Sequence, residues 1–261
     1  MILYRRFLNS TMSRFMSGML AGCTFSADIQ NRTDALGYKQ VPDSLEFQLI
    51  RAKLKAWLEP PHEALAFFEA SLSERKFLSE AAARYGLVVS RMRTGDYKRA
   101  RGELEALRKL VPANVIVDTL TCEFGANAYG PEKTLPCYRE AVKSYPSYRA
   151  LIYGYVDALL LSGRAESALK LVEERIQVIS DDHRLYMLQA RAYAALNRRL
   201  AQHRAQAEAY VRLGNLPAAV EQLRIGLKSA DGDFYQSSSA EARLRQLRQL
   251  DEEMRRDAAK R

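Results

Sequence analysis

The feature that most constrains this chain is a spacing. Gly95 and Gly163 lie 68 residues apart, Ala100 and Ala168 lie the same 68 apart, and Pro112 and Pro146 are separated by 34. A turn glycine, a small residue and a terminating proline recurring in one phase describe two antiparallel helices repeated along the chain. Glycine admits the positive φ of a tight turn, alanine lets the second helix approach the first, and proline stops that helix because it has no N–H to donate. One such hairpin leaves an apolar face uncovered, so the units must stack, giving a solenoid with local contacts.

A 34-residue helix-turn-helix period is that of tetratricopeptide repeats (TPRs). The unit from Ala81 to Asn114 shows the pattern most clearly, with Leu87, Gly95-Asp96-Tyr97, Ala100, Leu104, Leu107 and Pro112 in order. The frame extends to Leu45 to Leu78, through Ala52, Ala64, Phe68 and Ser71, and to Arg149 to Asp182, through Tyr155, Leu159, Gly163 and Ala168. Val115 to Tyr148 is degenerate. There Tyr129-Gly130-Pro131 replaces the usual turn and Thr134 stands where alanine is preferred. Beyond Asp182 the phase slips, since Gly163 to Gly214 is one and a half repeats. His183 to Asn197 then reads as a first helix, and Arg198 to Leu213 as a second that also opens a last hairpin. An odd number of helices has been inserted, so the later surface should change orientation.

After Asp231-Gly232-Asp233, a capping box at Ser238-Ser239-Ala240-Glu241 is expected to start an amphipathic helix carrying Leu244, Leu247, Leu250 and Met254 on one face. The expected fold is an all-α TPR solenoid with a C-terminal capping helix. Residues 1–26 are expected to be a leader or a non-homologous N-terminal segment, 27–44 a junction, 45–236 about five and a half repeats, and 237–261 the capping helix and a basic tail.

Composition removes several classes of function. Among 261 residues, 40 Lys and Arg exceed 31 Asp and Glu, for a net charge of +9. Three cysteines and three histidines are too few for a disulfide framework or a self-sufficient zinc site. No apolar run reaches the roughly 18 residues of a membrane-spanning helix. Arginines gather late, at Arg191, Arg198, Arg199, Arg204, Arg243, Arg245, Arg248, Arg255 and Arg256. Acidic residues interleave with them and no RNA-binding signature is present, so nucleic acid is not the expected partner, and a basic surface for RNA or lipid is the weaker alternative.

Several stretches go beyond the repeat. They are Ala27-Asp28-Ile29-Gln30-Asn31-Arg32, Asp34 to Tyr38, Val41 to Leu49, Ala64 to Glu69, Arg149 to Ala158, Gln202-His203-Arg204, Gly214 to Ala219 and Gly232 to Gln236. Across about Ala27 to Leu250 the chain resembles the C-terminal TPR part of the bacterial beta-barrel assembly-enhancing proteases, HExxH zinc metallopeptidases. The resemblance implies a periplasmic or outer-membrane-associated module whose partners are proteins or peptides, among them the outer-membrane assembly machinery or its unfolded substrates. It does not extend to the zinc site. The one His-Glu pair, His62-Glu63-Ala64-Leu65-Ala66, has alanine where the second ligand belongs. No catalytic residue, metal or cofactor is therefore expected, and the alternative is a chain that works in trans with a zinc metallopeptidase. Within Met1 to Thr24, Leu20-Ala21-Gly22-Cys23 has the form of a lipoprotein cleavage box, which would make Cys23 a lipid anchor. The other reading is an accidental leader, with the chain then cytoplasmic.

First helices of TPR hairpins line the concave side. The expected groove contacts are Tyr85, Val89, Met92 and Arg93, then Thr119, Glu123 and Asn127, then Tyr153, Asp157 and Leu160, and finally Met187 and Arg191. Their mixture of aromatic, amide and charged groups suits an extended peptide or a partner helix. Tyr85 and Val89 stand where one TPR subtype carries a Lys and Asn clamp for carboxylates, which disfavours a chaperone adaptor. Cys122 and Cys137 read as buried free thiols, with a disulfide as the alternative in an oxidising compartment. His203 reads as a packing residue, and His183 as part of an exposed helix start.

Overall fold

The computed structural model describes residues 43–229 and 231–259, and among them the chain forms twelve α-helices and no strand. These are α1 Leu45–Leu58, α2 Pro61–Ser73, α3 Glu80–Thr94, α4 Tyr97–Leu110, α5 Val115–Tyr129 and α6 Pro131–Ser144. They continue as α7 Arg149–Leu161, α8 Ala165–Val178, α9 His183–Ala195, α10 Arg199–Arg212, α11 Leu216–Leu227 and α12 Phe234–Ala259. The first helices α1, α3, α5, α7 and α9 begin about 34 residues apart, so the fold is the all-α TPR solenoid that the spacing requires.

Local chemistry places the helix ends. Ser79, Asp96, Asn114, Asp182 and Asn215 each stand at an N-cap and accept a hydrogen bond from a backbone N–H of the first turn, at 2.9 to 3.3 Å. Gly95 ends α3 at φ 81°, a conformation that costs an L side chain energy. Between repeats, an aromatic ring of a second helix fills the space that a glycine leaves on the next first helix. A Cβ on Gly86 would come within 2.2 Å of the Phe68 ring, and one on Gly154 within 2.9 Å of Tyr138. Inside the degenerate third unit, Gly125 in α5 makes room for the Thr134 methyl of α6, 2.8 Å from where a Cβ would stand.

The N-terminal repeats close over one another. Helix α3 is packed by α1, α2, α4 and α5, and α1 meets α5 across it. Lys53 Nζ donates to Glu123 Oε1 at 3.4 Å, and Asn114 Nδ2 donates to Glu46 Oε1 at 3.1 Å. The inner face of α3 is thereby turned into core, where Leu49, Ala56, Tyr85, Val88, Val117 and Leu120 are all buried. A second core spans α5 to α9, and a third joins α10, α11 and α12.

Two expectations need correction. Cys122 and Cys137 are joined in a disulfide instead of standing as free thiols. The α5–α6 hairpin sets the two residues on facing turns with their Cα atoms 5.7 Å apart, within bridging range. The last helix begins at Phe234, ahead of the expected capping box. Asp233 caps it instead, accepting from Gln236 N at 2.7 Å, and leaves Ser238 and Ser239 inside the helix.

Beyond Asp182, α10 packs against both α9 and α11. Arg198 provides no side-chain cap for α10. Asp231 supplies one from a distance in sequence, accepting from the backbone N–H groups of Arg199 and Leu200. Gly232 beside it leaves room for Leu200, since a Cβ there would fall 2.2 Å from Leu200 Cδ2 and force that side chain to shift. His203 Nδ1 is 2.8 Å from Gln222 Oε1 across the α10–α11 contact, the packing place foreseen for it.

Candidate interaction surfaces

The residues expected to line one continuous groove fall into three groups. Tyr85, Val89 and Thr119 are core, with Tyr85 fully buried. They are not open to a ligand, because α1 and α5 meet across α3. Burial pushes the Tyr85 phenol well above its ordinary pKa, with Glu123 adding to the effect, and its hydroxyl has no hydrogen-bond partner among the described residues. Arg93 is committed inward, its guanidinium donating to the carbonyls of Ala56 and Glu59 at the C-terminal end of α1. These are among the carbonyls a helix leaves unsatisfied, so Arg93 is a structural clamp.

Tyr153, Asp157, Arg191 and Asn127 form the accessible remainder. The Tyr153 hydroxyl donates to the carboxylate of Asp182, which also caps α9 and lies 3.7 Å from Arg149 Nε. Arg184 covers the Tyr153 ring at 5.2 Å. Burial and that hydrogen bond to Asp182 raise the Tyr153 pKa, so the phenol stays neutral and keeps its proton. Asp157 pairs with Arg191 across α7 and α9, both side chains 45% exposed. Asn127 is exposed and donates to the carbonyl of Glu123 on its own helix. On this face the polar groups largely satisfy one another.

A second surface was not singled out from the sequence. Beside α10, between α9 and α12, lie two adjoining clefts of about 290 Å³ each. Ala201, Arg204 and Ala205 form the floor, with Tyr193 on the α9 side and Gln236 and Ser239 on the α12 side. Tyr193, Ala201 and Arg204 line both clefts. The Tyr193 hydroxyl donates to Glu173 Oε1 at 2.9 Å, and burial followed by that bond raises its pKa to about 12, against the pull of Arg198 and Arg204.

The acids along this groove are already engaged. Burial would raise the Glu208 pKa, but hydrogen bonds from Arg243 and Arg212 outweigh it and hold the carboxyl below its ordinary value. Arg243 meets both Glu208 oxygens, at 2.8 and 3.0 Å. Asp231 is occupied by the α10 amides and by the Ser229 hydroxyl at 2.6 Å. Arg204 reaches only the Ser239 hydroxyl, at 3.2 Å, and among the described residues neither it nor Arg198 has a carboxylate within ion-pair distance. Both arginines stand in the late cluster visible in the sequence. The missing signal was the approach of α9, α10 and α12, which gathers a scattered charge pattern into the wall and floor of one groove.

His62 and Glu63 are exposed on the first turn of α2, with Ala64 buried beside them. Among the described residues no group of three or more His, Cys, Asp or Glu could hold a metal ion, and no helix is long and apolar enough to cross a membrane. Cys23 and the junction up to Pro42 lie outside the described residues.

No family model matches the chain. It is 25% identical over 227 residues to the beta-barrel assembly-enhancing protease of Escherichia coli strain K12, and equally so to the proteins of that name from Shigella flexneri and Escherichia coli O157:H7. The matched region is 87% of this chain and 46% of each relative, so the chain spans about half the length of the curated relatives it matches. Among solved structures, MamA from Desulfovibrio magneticus RS-1 superposes with a TM-score of 0.46 at 14% identity, covering 67% of this chain and 98% of that one. TTC0263, a TPR protein of Thermus thermophilus, gives a TM-score of 0.42 at 19% identity, over 76% and 98% of the two chains.

Proposed function

We propose that this chain is a non-catalytic interaction module that binds protein partners on its inner face, in the service of outer-membrane protein assembly. The observation that carries the reading is the similarity along 87% of the chain to proteins named for enhancing beta-barrel assembly. Two features support it. A TPR solenoid presents extended surface without an enclosed reaction chamber. The Cys122–Cys137 bridge suits an oxidising compartment such as the periplasm. On this reading Asn127, Tyr153, Asp157 and Arg191 form the part of the inner face that remains open after α1 and α5 have closed over α3.

The test is direct binding of a purified outer-membrane β-barrel precursor, fluorescently labelled and diluted from urea into the purified chain. Saturable binding, weakened severalfold by combined Asn127→Ala, Asp157→Ala and Arg191→Ala substitution, is expected. No binding, or equal binding by the triple variant, would overturn the assignment of that face. Chelator-sensitive hydrolysis of casein by the purified chain would contradict the non-catalytic reading.

A further inference from the structure

We propose that the groove over α10 is a docking site for an acidic peptide segment, whose carboxylates pair with Arg198 and Arg204. The inference rests on the reading of the chain as a protein-interaction module, but it assigns a different surface and a partner chemistry. Charge complementarity carries it. A guanidinium lining a cleft gains little from water alone when a carboxylate can reach it in fork geometry, and Arg198 and Arg204 have no such group among the described residues. Every acid bordering the cleft is used elsewhere: Glu208 by Arg243 and Arg212, Asp231 by the α10 N-terminus, and Glu173 by Tyr193. The groove therefore carries surplus positive charge that its own side chains do not cancel.

The rest of the lining favours a peptide over a polyphosphate. Gln189, Gln236 and Ser239 offer amide and hydroxyl groups of the kind that bind a peptide backbone, and the Tyr193 ring and Ala201 give an apolar wall and floor for an interspersed aliphatic side chain. A nucleic-acid track needs a row of cations following the phosphates. Along this groove only Arg198 and Arg204 lack a carboxylate partner among the described residues, two cations and not a row. The same lining accounts for part of the late arginine cluster that composition alone leaves unassigned.

The experiment uses the full chain and a fluorescein-labelled Ser-Glu-Leu-Glu-Glu-Leu peptide read by fluorescence anisotropy, with the analogue in which every Glu is Gln as comparison. Poly(U) and vesicles of phosphatidylglycerol are the competing anions. The Glu peptide is expected to bind at least tenfold more tightly than the Gln peptide. The Arg198→Gln, Arg204→Gln double variant should lose about tenfold, whereas Arg139→Gln, an exposed arginine on α6, should change nothing. Equal affinity for the two peptides overturns the proposal without reference to any variant, so a poorly folded double variant cannot rescue it. Tighter binding of poly(U) or the vesicles at this same site would assign the groove to phosphate and would also overturn it. If the acidic peptide fails while the β-barrel precursor still binds, this inference falls and the functional reading above stands.

Discussion

The regular N-terminal half and the slipped C-terminal half are built from the same kind of hairpin, but they treat their inner faces differently. In the first half, α1, α3 and α5 keep one phase and α1 meets α5, so Tyr85, Val88 and Val89 on the helix between them become core. In the second half α10 packs between α9 and α11, and clefts remain beside it between α9 and α12. One end of the array seals its groove, and the other leaves clefts open. Both halves bury large apolar side chains, whereas the arginines without a carboxylate partner that line a cleft, Arg198 and Arg204, lie in the second.

The largest expected effect breaks the first half. Tyr85→Ala should cost about 3–5 kcal/mol in urea unfolding, the range for removing a large buried aromatic side chain. Tyr85→Phe should be close to neutral or stabilising, because it removes a buried hydroxyl that has no partner among the described residues. An exposed groove residue would behave in the opposite way, with a negligible stability loss for Tyr85→Ala.

Next in size is the bridge at the junction of the halves. Replacing Cys122 and Cys137 together with alanine should cost about 3 kcal/mol, the loop-closure value for their separation of 15 residues. Thermal unfolding with and without reductant checks this, since the double variant should lose all sensitivity to reductant. A wild-type chain insensitive to reductant would remove the bridge.

The slipped half has its own support, of smaller size. Asp231→Ala removes the distant cap of α10 and should cost about 0.5–2 kcal/mol at neutral pH. The Ser229 hydroxyl and the Leu200 and Arg199 amides hold the Asp231 pKa below its ordinary value, against slight desolvation. The stability it contributes is therefore full above about pH 4 and is lost as pH falls through the lowered folded value. Wild type and Asp231→Ala should converge in urea midpoint under strongly acidic conditions. A gap that stays constant down to about pH 2, below the ordinary carboxylate range, would mean the carboxylate charge contributes nothing to the cap.

The smallest effect belongs to the self-paired face. Asp157 and Arg191 are both half exposed, so Asp157→Ala should change stability by no more than about 1 kcal/mol. Its consequence should appear in partner binding. A stability loss of several kcal/mol would mean that the pair is a core element of the α7–α9 contact.

Much of this fold was legible because its determinants are local. Glycine turns, alanine contacts and terminal prolines recur in phase, and the slip after Asp182 is visible as a changed interval between Gly163 and Gly214. What was not legible depends on contacts between distant repeats. Nothing in the register of α3 says that α1 will reach α5, so Tyr85 and Val89 read as groove residues though they are core. The Asp231 cap joins residues far apart in sequence through a loop, and no local pattern near Arg198 announces it. The Cys122–Cys137 bridge needed the facing turns of α5 and α6, which spacing alone could place at similar height but could not pair. Arg93 looked like a ligand contact because its target carbonyls lie on a helix of the preceding repeat.

The central claim is that a partner's acidic segment meets the slipped half and leaves the closed half untouched. Methyl NMR of the full chain titrated with the Ser-Glu-Leu-Glu-Glu-Leu peptide tests it most directly. The account predicts shifts at the Ala201, Ala205 and Leu223 methyls around the α10 groove, with Val88, Val89 and Leu120 unmoved. Shifts centred on Val89 and Leu120, with Ala201 and Ala205 unchanged, would contradict it.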